Sequence, residues 1–428
     1  MRSSPVMLRL RDGEREMLAG DRGEAVAMAM RVVVSLARAR EASELIDVTR
    51  AHIDSCLFHG RAGLDFARKL RDLGGQVAIP TTLNVGSLDL MHPDLIRDDP
   101  ARYPGIKTEG RELMQTYLEL GARPTWTCAP YHVESRPAFG EHIAWAESNA
   151  IVFANSVFGA RTDRYGDFLD ICAAITGKAP RAGLHLDQNR RAEILFDCED
   201  LPAAVFQNEI GYALLGYLAG LHSGGKVPVF SGLPDTTTED QLKALGSTSA
   251  SSGSVALFHV VGVTPEAPSL AVAMQGQEPE LTVTVTVDML RSARRELTSA
   301  SGDRLDAVSV GTPHASLAEI RDAAEALVRS GDIHPSVDFY ISTGRAVYAL
   351  AQEAGYVEVI ERAGGRLVVD TCTYVTPILK PGTRTVLTNS GKWAHYAPAN
   401  LGVDVAFGSL EDCVRSACAG RLMVDDAW

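Results

Sequence analysis

A layered α/β fold with mainly parallel sheets is predicted by three features of the chain. Short apolar runs alternate with helix-periodic segments, glycines mark the turns between them, and polar residues gather where the apolar runs end. With 428 residues, 46% of them apolar, the chain can bury cores for more than one lobe.

The N-terminal segments LRLRDGEREMLAG (8–20) and EAVAMAMRVVVSLARAREA (24–42) are rich in strong helix formers. LIDVTRAHIDSC (45–56) then gives a short strand, LDFARKLRDLGG (64–75) a helix stopped by glycine, and QVAIPTT (76–82) a second strand, a β-α-β unit. Helix-then-strand order is expected again in 108–131, 143–156 and 221–233. GSTSASSG (246–253) is small and polar, as an exposed loop would be, and divides the chain into sub-lobes 1–245 and 246–428. Beyond it, 254–267, 281–290, 305–314, 336–344 and 366–375 are strand-like, interleaved with helices such as LAEIRDAAEALVRSG (317–331). Ligands of open α/β sheets collect beyond the carboxyl ends of the strands, where PTTLN, TCAPY, VTPEA, GTPH and DTC all fall.

The net charge of −13 argues against non-specific binding to nucleic acid or anionic membrane. No apolar stretch approaches the ~20 residues of a membrane span, and the N-terminus is charged where a signal peptide is apolar, so a cytoplasmic protein is expected. Seven scattered cysteines without a CxxC suit reduced thiols. G-x-G-x-x-G, Walker A, H-E-x-x-H and G-x-S-x-G patterns are all absent.

Cys128 lies in TWTCAPY, where Pro130 fixes a loop, and Cys372 ends the apolar run VVDTC. Cys413 and Cys418 are five apart on an expected helix, so one of them, Cys413, is expected to face a site. Three separated thiolates can hold an iron-sulfur cluster, although buried structural thiols give the same spacing. Thr388–Pro398 concentrates hydroxyl, amide, ammonium and imidazole groups in what reads as a glycine-containing turn able to bind an anion, or as an ordinary surface loop. Glu147, Ser148, Asn149, Asn155 and Arg161 form a second polar set in an apolar stretch. His52 (beside Asp54 and Ser55), His185, His259 and His314 are either proton-transfer or ligand groups or satisfied core histidines.

Taken together, HIDSC, IPTTLN, TWTCAPYH, GEHIAWAESNAIVFANSVFGART, AAITGKAPRAGLHL, LKALG, VGVTPEA, VGTPH, DTC, TNSGKWAHYAPANLG and SLEDCV resemble the large catalytic part of the aconitase X family, in the same order and over nearly the whole chain. The resemblance implies aconitase-like catalytic lobes and an iron-sulfur hydro-lyase acting on cis-3-hydroxy-L-proline in bacteria or on 5-phosphomevalonate in archaea. It further implies a swivel domain that is absent here and supplied by a small subunit, making a heterodimer. The expected cofactor is an iron-sulfur cluster of the 2Fe-2S or 3Fe-4S type, held by Cys128, Cys372 and Cys413. Lys392, Arg161 and Asn149 are expected to orient the substrate carboxylate, with Ser390 and His52 near the reacting carbon and Ser148, Thr82 and His395 completing the binding set. The low lysine content beside abundant Ala and Arg points to the hydroxyproline reaction, giving a pyrroline-2-carboxylate. A phosphomevalonate dehydratase large subunit, a non-catalytic binding or scaffold protein, and a cofactor-free α/β lyase are the alternatives.

Overall fold

The computed structural model describes residues 7–97, 99 and 103–425. The N-terminal third comprises α1 (Asp12–Ala19), α2 (Glu24–Ala39), β1 (Leu45–Asp47), β2 (Ala51–Ile53), α3 (Arg61–Asp72), β3 (Thr81–Leu83), α4 (Arg111–Glu119), β4 (Ala144–Trp145), α5 (Ser148–Val157), α6 (Leu169–Thr176) and β5 (Lys178–Pro180). Strands β3-β2-β4 make a parallel sheet, and β1 pairs antiparallel with β5. The β-α-β unit is therefore present, with α3 as its crossover. Residues 143–156 run strand then helix, the reverse of the expected order, because the short β4 precedes the apolar helix α5.

The middle region holds β6 (Ile194–Asp197), α7 (Glu209–Ser223), β7 (Pro228–Ser231), α8 (Glu239–Gly253), β8 (His259–Val260), α9 (Leu270–Ala273), β9 (Leu281–Thr284) and α10 (Val287–Glu296), with parallel strand order β8-β7-β6-β9. GSTSASSG is not a loop between lobes: it is the C-terminal half of α8, and the 245/246 division falls inside that helix. Its small side chains have a packing reason. A Cβ on Gly216 of α7 would come 2.1 Å from the Leu245 carbonyl oxygen, and one on Gly253 would meet the Gly220 carbonyl oxygen at 1.8 Å, so α7 and α8 touch backbone to backbone. A polar, small composition here marks close helix packing, with the hydroxyls of Thr248, Ser251 and Ser252 bonded back to helix carbonyls.

The last region contains β10 (Ala307–Val310), α11 (Leu317–Ser330), β11 (Asp338–Thr343), α12 (Arg345–Glu353), α13 (Tyr356–Arg362), β12 (Arg366–Val369), β13 (Thr385–Thr388), α14 (Gly391–Leu401), β14 (Asp404–Phe407) and α15 (Leu410–Ala419). Its sheet is wholly parallel, in the order β12-β11-β10-β13-β14. The polar segment 388–398 is less of a turn than expected: β13 ends at Thr388, Ser390 caps α14 by accepting the Trp393 N–H, and the helix continues through Pro398. Three large apolar cores underlie the sheets, the second of which joins the middle region to β13, α14 and β14 through Trp393, Val405 and Phe407. No helix among the described residues is long and apolar enough to cross a membrane.

Candidate active site

The carboxyl ends of β2, β3, β10, β12 and β13 converge with the N-terminus of α5, as expected for a ligand site between parallel sheets. At the centre, the Cys128 and Cys372 sulfurs and a His314 ring nitrogen all lie within 4.8 Å of one another, all three residues buried. Val85 and the partly buried Leu57, Tyr374 and Val375 pack around the two thiols. Each thiol sits two residues after a non-glycine residue held at positive φ, Trp126 (46°) before Cys128 and Asp370 (68°) before Cys372. Such backbone strain persists only where surrounding contacts impose it. At Asp370 the Arg345 guanidinium supplies them, gripping the carboxylate at 2.8 and 2.7 Å.

His314 braces both thiol loops. Its Nε2 donates to the Thr371 carbonyl at 3.0 Å, which leaves Nδ1 to accept from the Thr127 hydroxyl at 3.0 Å, and its backbone N–H donates to Cys128 Sγ at 3.2 Å. Burial is the main reason its pKa falls to about 4, so the ring is neutral. The Cys372 thiol is pushed well above its ordinary range, first by its hydrogen bond with Cys128 and then by burial.

Around the thiols, Lys392 Nζ pairs with Glu147 Oε1 at 2.5 Å in an ion pair whose side chains are 4% and 6% exposed, and it also reaches Ser148 Oγ at 3.3 Å. Glu147 Oε2 caps α5 by accepting the Ala150 N–H, so one carboxylate starts the helix and neutralises the lysine. Asn149 Nδ2 donates to the Cys128 carbonyl and to the Tyr131 hydroxyl. His52 Nδ1 meets the Thr82 hydroxyl at 2.8 Å, and burial lowers its pKa to about 4 against the opposing charge of Glu147. Ser390 donates to the Thr312 carbonyl while capping α14.

Four buried polar atoms on these strand and helix ends have no hydrogen-bond partner among the described residues: His52 Nε2, Asn84 Oδ1, Asn149 Oδ1 and Thr312 Oγ1. Leaving such an atom unsatisfied costs about 1–3 kcal/mol, so their concentration here marks a place shaped for a ligand. Glu147, Asn84 and the bracing role of His314 escaped the sequence-based site. Glu147 stood in the polar set of 147–161, Asn84 in the PTTLN ending and His314 in the GTPH ending, but their roles depend on elements meeting in space.

Three expected residues make other contacts. Cys413 is fully buried on α15 within the third core, among Val308, Leu387 and Val414, and is not part of the thiol group. Arg161 is engaged with the His185 carbonyl and the Asp187 carboxylate, beside the His142–His185 pair. His395 packs against the Tyr217 and Tyr396 rings, and Tyr396 in turn stacks on Tyr374, which packs against Cys372.

Models of the aconitase X first, second and third domains match residues 7–188, 192–295 and 305–419. The chain belongs to the aconitase X family. These boundaries coincide with the three groups of strands described above. Relatives include the cis-3-hydroxy-L-proline dehydratases of Pseudomonas aeruginosa, 46% identical over 415 residues (95% of this chain, 70% of that one), and of Hypocrea jecorina, 41% identical over 420 residues (97% and 69%). The phosphomevalonate dehydratase large subunit of Thermococcus kodakarensis is 37% identical over 406 residues (94% and 98%). The holo-form crystal structure of aconitase X from Thermococcus kodakaraensis superposes with a TM-score of 0.85 at 36% identity, covering 96% of this chain and all of the other. As a member of this family of dehydratases, the aconitase X chain is a carbon-oxygen hydro-lyase.

Proposed function

We propose that this aconitase X protein is the large subunit of an iron-sulfur dehydratase that removes water from cis-3-hydroxy-L-proline to give a pyrroline-2-carboxylate. The observation that carries the reading is the buried Cys128–His314–Cys372 group ringed by unsatisfied polar atoms. The substrate follows from the relatives: those named for hydroxyproline are 46% and 41% identical, against 37% to 32% for those named for phosphomevalonate.

The residues fit such a cofactor. Two soft thiol donors are adjacent, one receives a backbone N–H, and burial keeps bulk water away. Cys128 and Cys372 would hold the cluster, and further ligands come from outside the thiol pair, because Cys413 belongs to another core and both His314 ring nitrogens are already hydrogen-bonded. When bound, iron supplies a Lewis acid for a departing hydroxyl, which otherwise leaves poorly near neutral pH. The chain contributes the rest. Lys392, held as an ammonium by Glu147, offers charge to the substrate carboxylate, the Thr312 hydroxyl can donate a hydrogen bond, and Asn149 Oδ1 can accept one from a substrate donor. His52, neutral and with Nε2 unpartnered, is available to take or relay the proton lost from the carbon next to the carboxylate.

A small swivel-type subunit is the proposed partner, since the archaeal relatives are named large subunits. A cytoplasmic setting suits seven free cysteines. The test is anaerobic purification with the small subunit, iron and sulfide analysis, and turnover of both substrates. Iron-dependent loss of water from cis-3-hydroxy-L-proline is expected; turnover of phosphomevalonate alone would overturn the assignment.

A further inference from the structure

The loops after β2 and β3 form one wall of the thiol site. Leu57 and Val85 of these loops pack on Cys128 and Cys372, which places Asp54 and Asn84 at the border of the same pocket. Asn84 Nδ2 donates to Asp54 Oδ1, and the Asn84 side chain, 3% exposed, keeps Oδ1 without a partner. Asp54 Oδ2 has no hydrogen-bond partner among the described residues. Two acceptors from neighbouring side chains therefore stand together, one of them anionic when ionised.

The surroundings call for a cation. Asp170 is satisfied by the backbone N–H groups of Asp54, Ser55 and Ile171 and by the Ser55 hydroxyl, and Glu147 is balanced by Lys392. Among the described residues, Asp54 has no cationic partner of its own. Burial first, then the charges of Glu147, Asp167 and Asp170, lift its carboxyl to about 8.

We propose that Asp54 and Asn84 are the subsite for the ring ammonium of a cyclic amino-acid substrate, Asp54 Oδ2 accepting one N–H and Asn84 Oδ1 the other. A secondary ammonium within a ring has two N–H donors, matching the two acceptors, while Lys392 takes the carboxylate. The proposal deepens the hydroxyproline reading and rests on it. It makes this corner selective against phosphorylated substrates, whose anionic oxygens would face the Asp54 carboxylate.

The test compares binding of L-proline, which carries the ammonium, with tetrahydrofuran-2-carboxylate, which has a ring oxygen instead, to the holoenzyme by calorimetry. The intact enzyme is expected to prefer L-proline. Asp54→Asn is expected to weaken L-proline by about 10- to 100-fold, the size of a charge-assisted hydrogen bond, with little change for the oxygen analogue. Asn84→Ser should shift the preference in the same direction by a smaller factor, and thermal unfolding confirms that both variants are folded. Equal weakening of both probes, or of neither, would overturn the subsite. Failure of the intact enzyme to dehydrate cis-3-hydroxy-L-proline while the L-proline preference survives would overturn the proposed reaction and leave the ammonium subsite standing.

Discussion

Glu147→Gln isolates the charge that joins the first and last regions of the molecule. The substitution preserves shape but removes the counter-ion of Lys392, which sits at 2.5 Å with both side chains almost fully buried. At that separation and an effective dielectric constant of about 20, the attraction is about 7 kcal/mol before desolvation. Burying the two ions offsets much of this, and stripping one partner from a buried pair leaves a net loss of about 3–5 kcal/mol, because the other charge stays buried and unpaired. Burial alone pulls the Lys392 ammonium down; Glu147, foremost, with Tyr374 and Cys128, raises it well above its ordinary value. Urea unfolding of Glu147→Gln, Lys392→Met and the double variant reads the pair directly. Each single variant should lose several kcal/mol and the double variant much less than their sum, since no ion is then left alone. A loss under about 1 kcal/mol for Glu147→Gln, or strict additivity, would refute the claim that this pair clasps α5 to α14.

Three other outcomes are expected. Cys128→Ser and Cys372→Ser should each abolish iron and sulfide binding, whereas Cys413→Ala should keep both and only lower stability by about 1–3 kcal/mol, as measured by metal analysis alongside unfolding. Gly216→Leu should destabilise the middle region by more than about 3 kcal/mol in chemical unfolding, because even a Cβ there would lie 2.1 Å from the Leu245 carbonyl oxygen. His185 is held down to about 3, first by burial and then by His142, Arg190 and Arg161. Its folded pKa is thus below the unfolded value near 6.5, so its contribution is complete above that pH and is lost as pH falls toward 3, at about 1.4 kcal/mol per pH unit. His185→Gln should flatten the acid limb of stability between pH 6 and 4 in unfolding measured across that range.

Asp54, His52, Asn84, Cys128, His314 and Cys372 were all visible as polar residues closing apolar runs, because a parallel strand must end in a loop and the loop carries whatever the site needs. Their division of labour was not visible. His314 read as a lone histidine, more commonly a core residue than a site group, yet its hydrogen bonds to Thr127 and Thr371 make it the brace between two thiol loops 244 residues apart in the chain. Arg161 carried the right chemistry for a carboxylate but turns toward Asp187, and nothing local in GARTD sets that direction.

From the sequence alone, periodicity and punctuation determined the parallel α/β layering, the β-α-β unit and the ordered set of motifs that resembles aconitase X, because these depend on local backbone preference and on residue order. Only the tertiary structure decided which thiols meet and which segment is a helix. Cys413 shares the amphipathic pattern of α15 with its neighbours and is drawn into the third core by burial. GSTSASSG is polar by composition yet helical, because contact with the glycines of α7 rewards small residues there. Both outcomes turn on the neighbour a side chain meets across the fold, which no window of adjacent residues encodes.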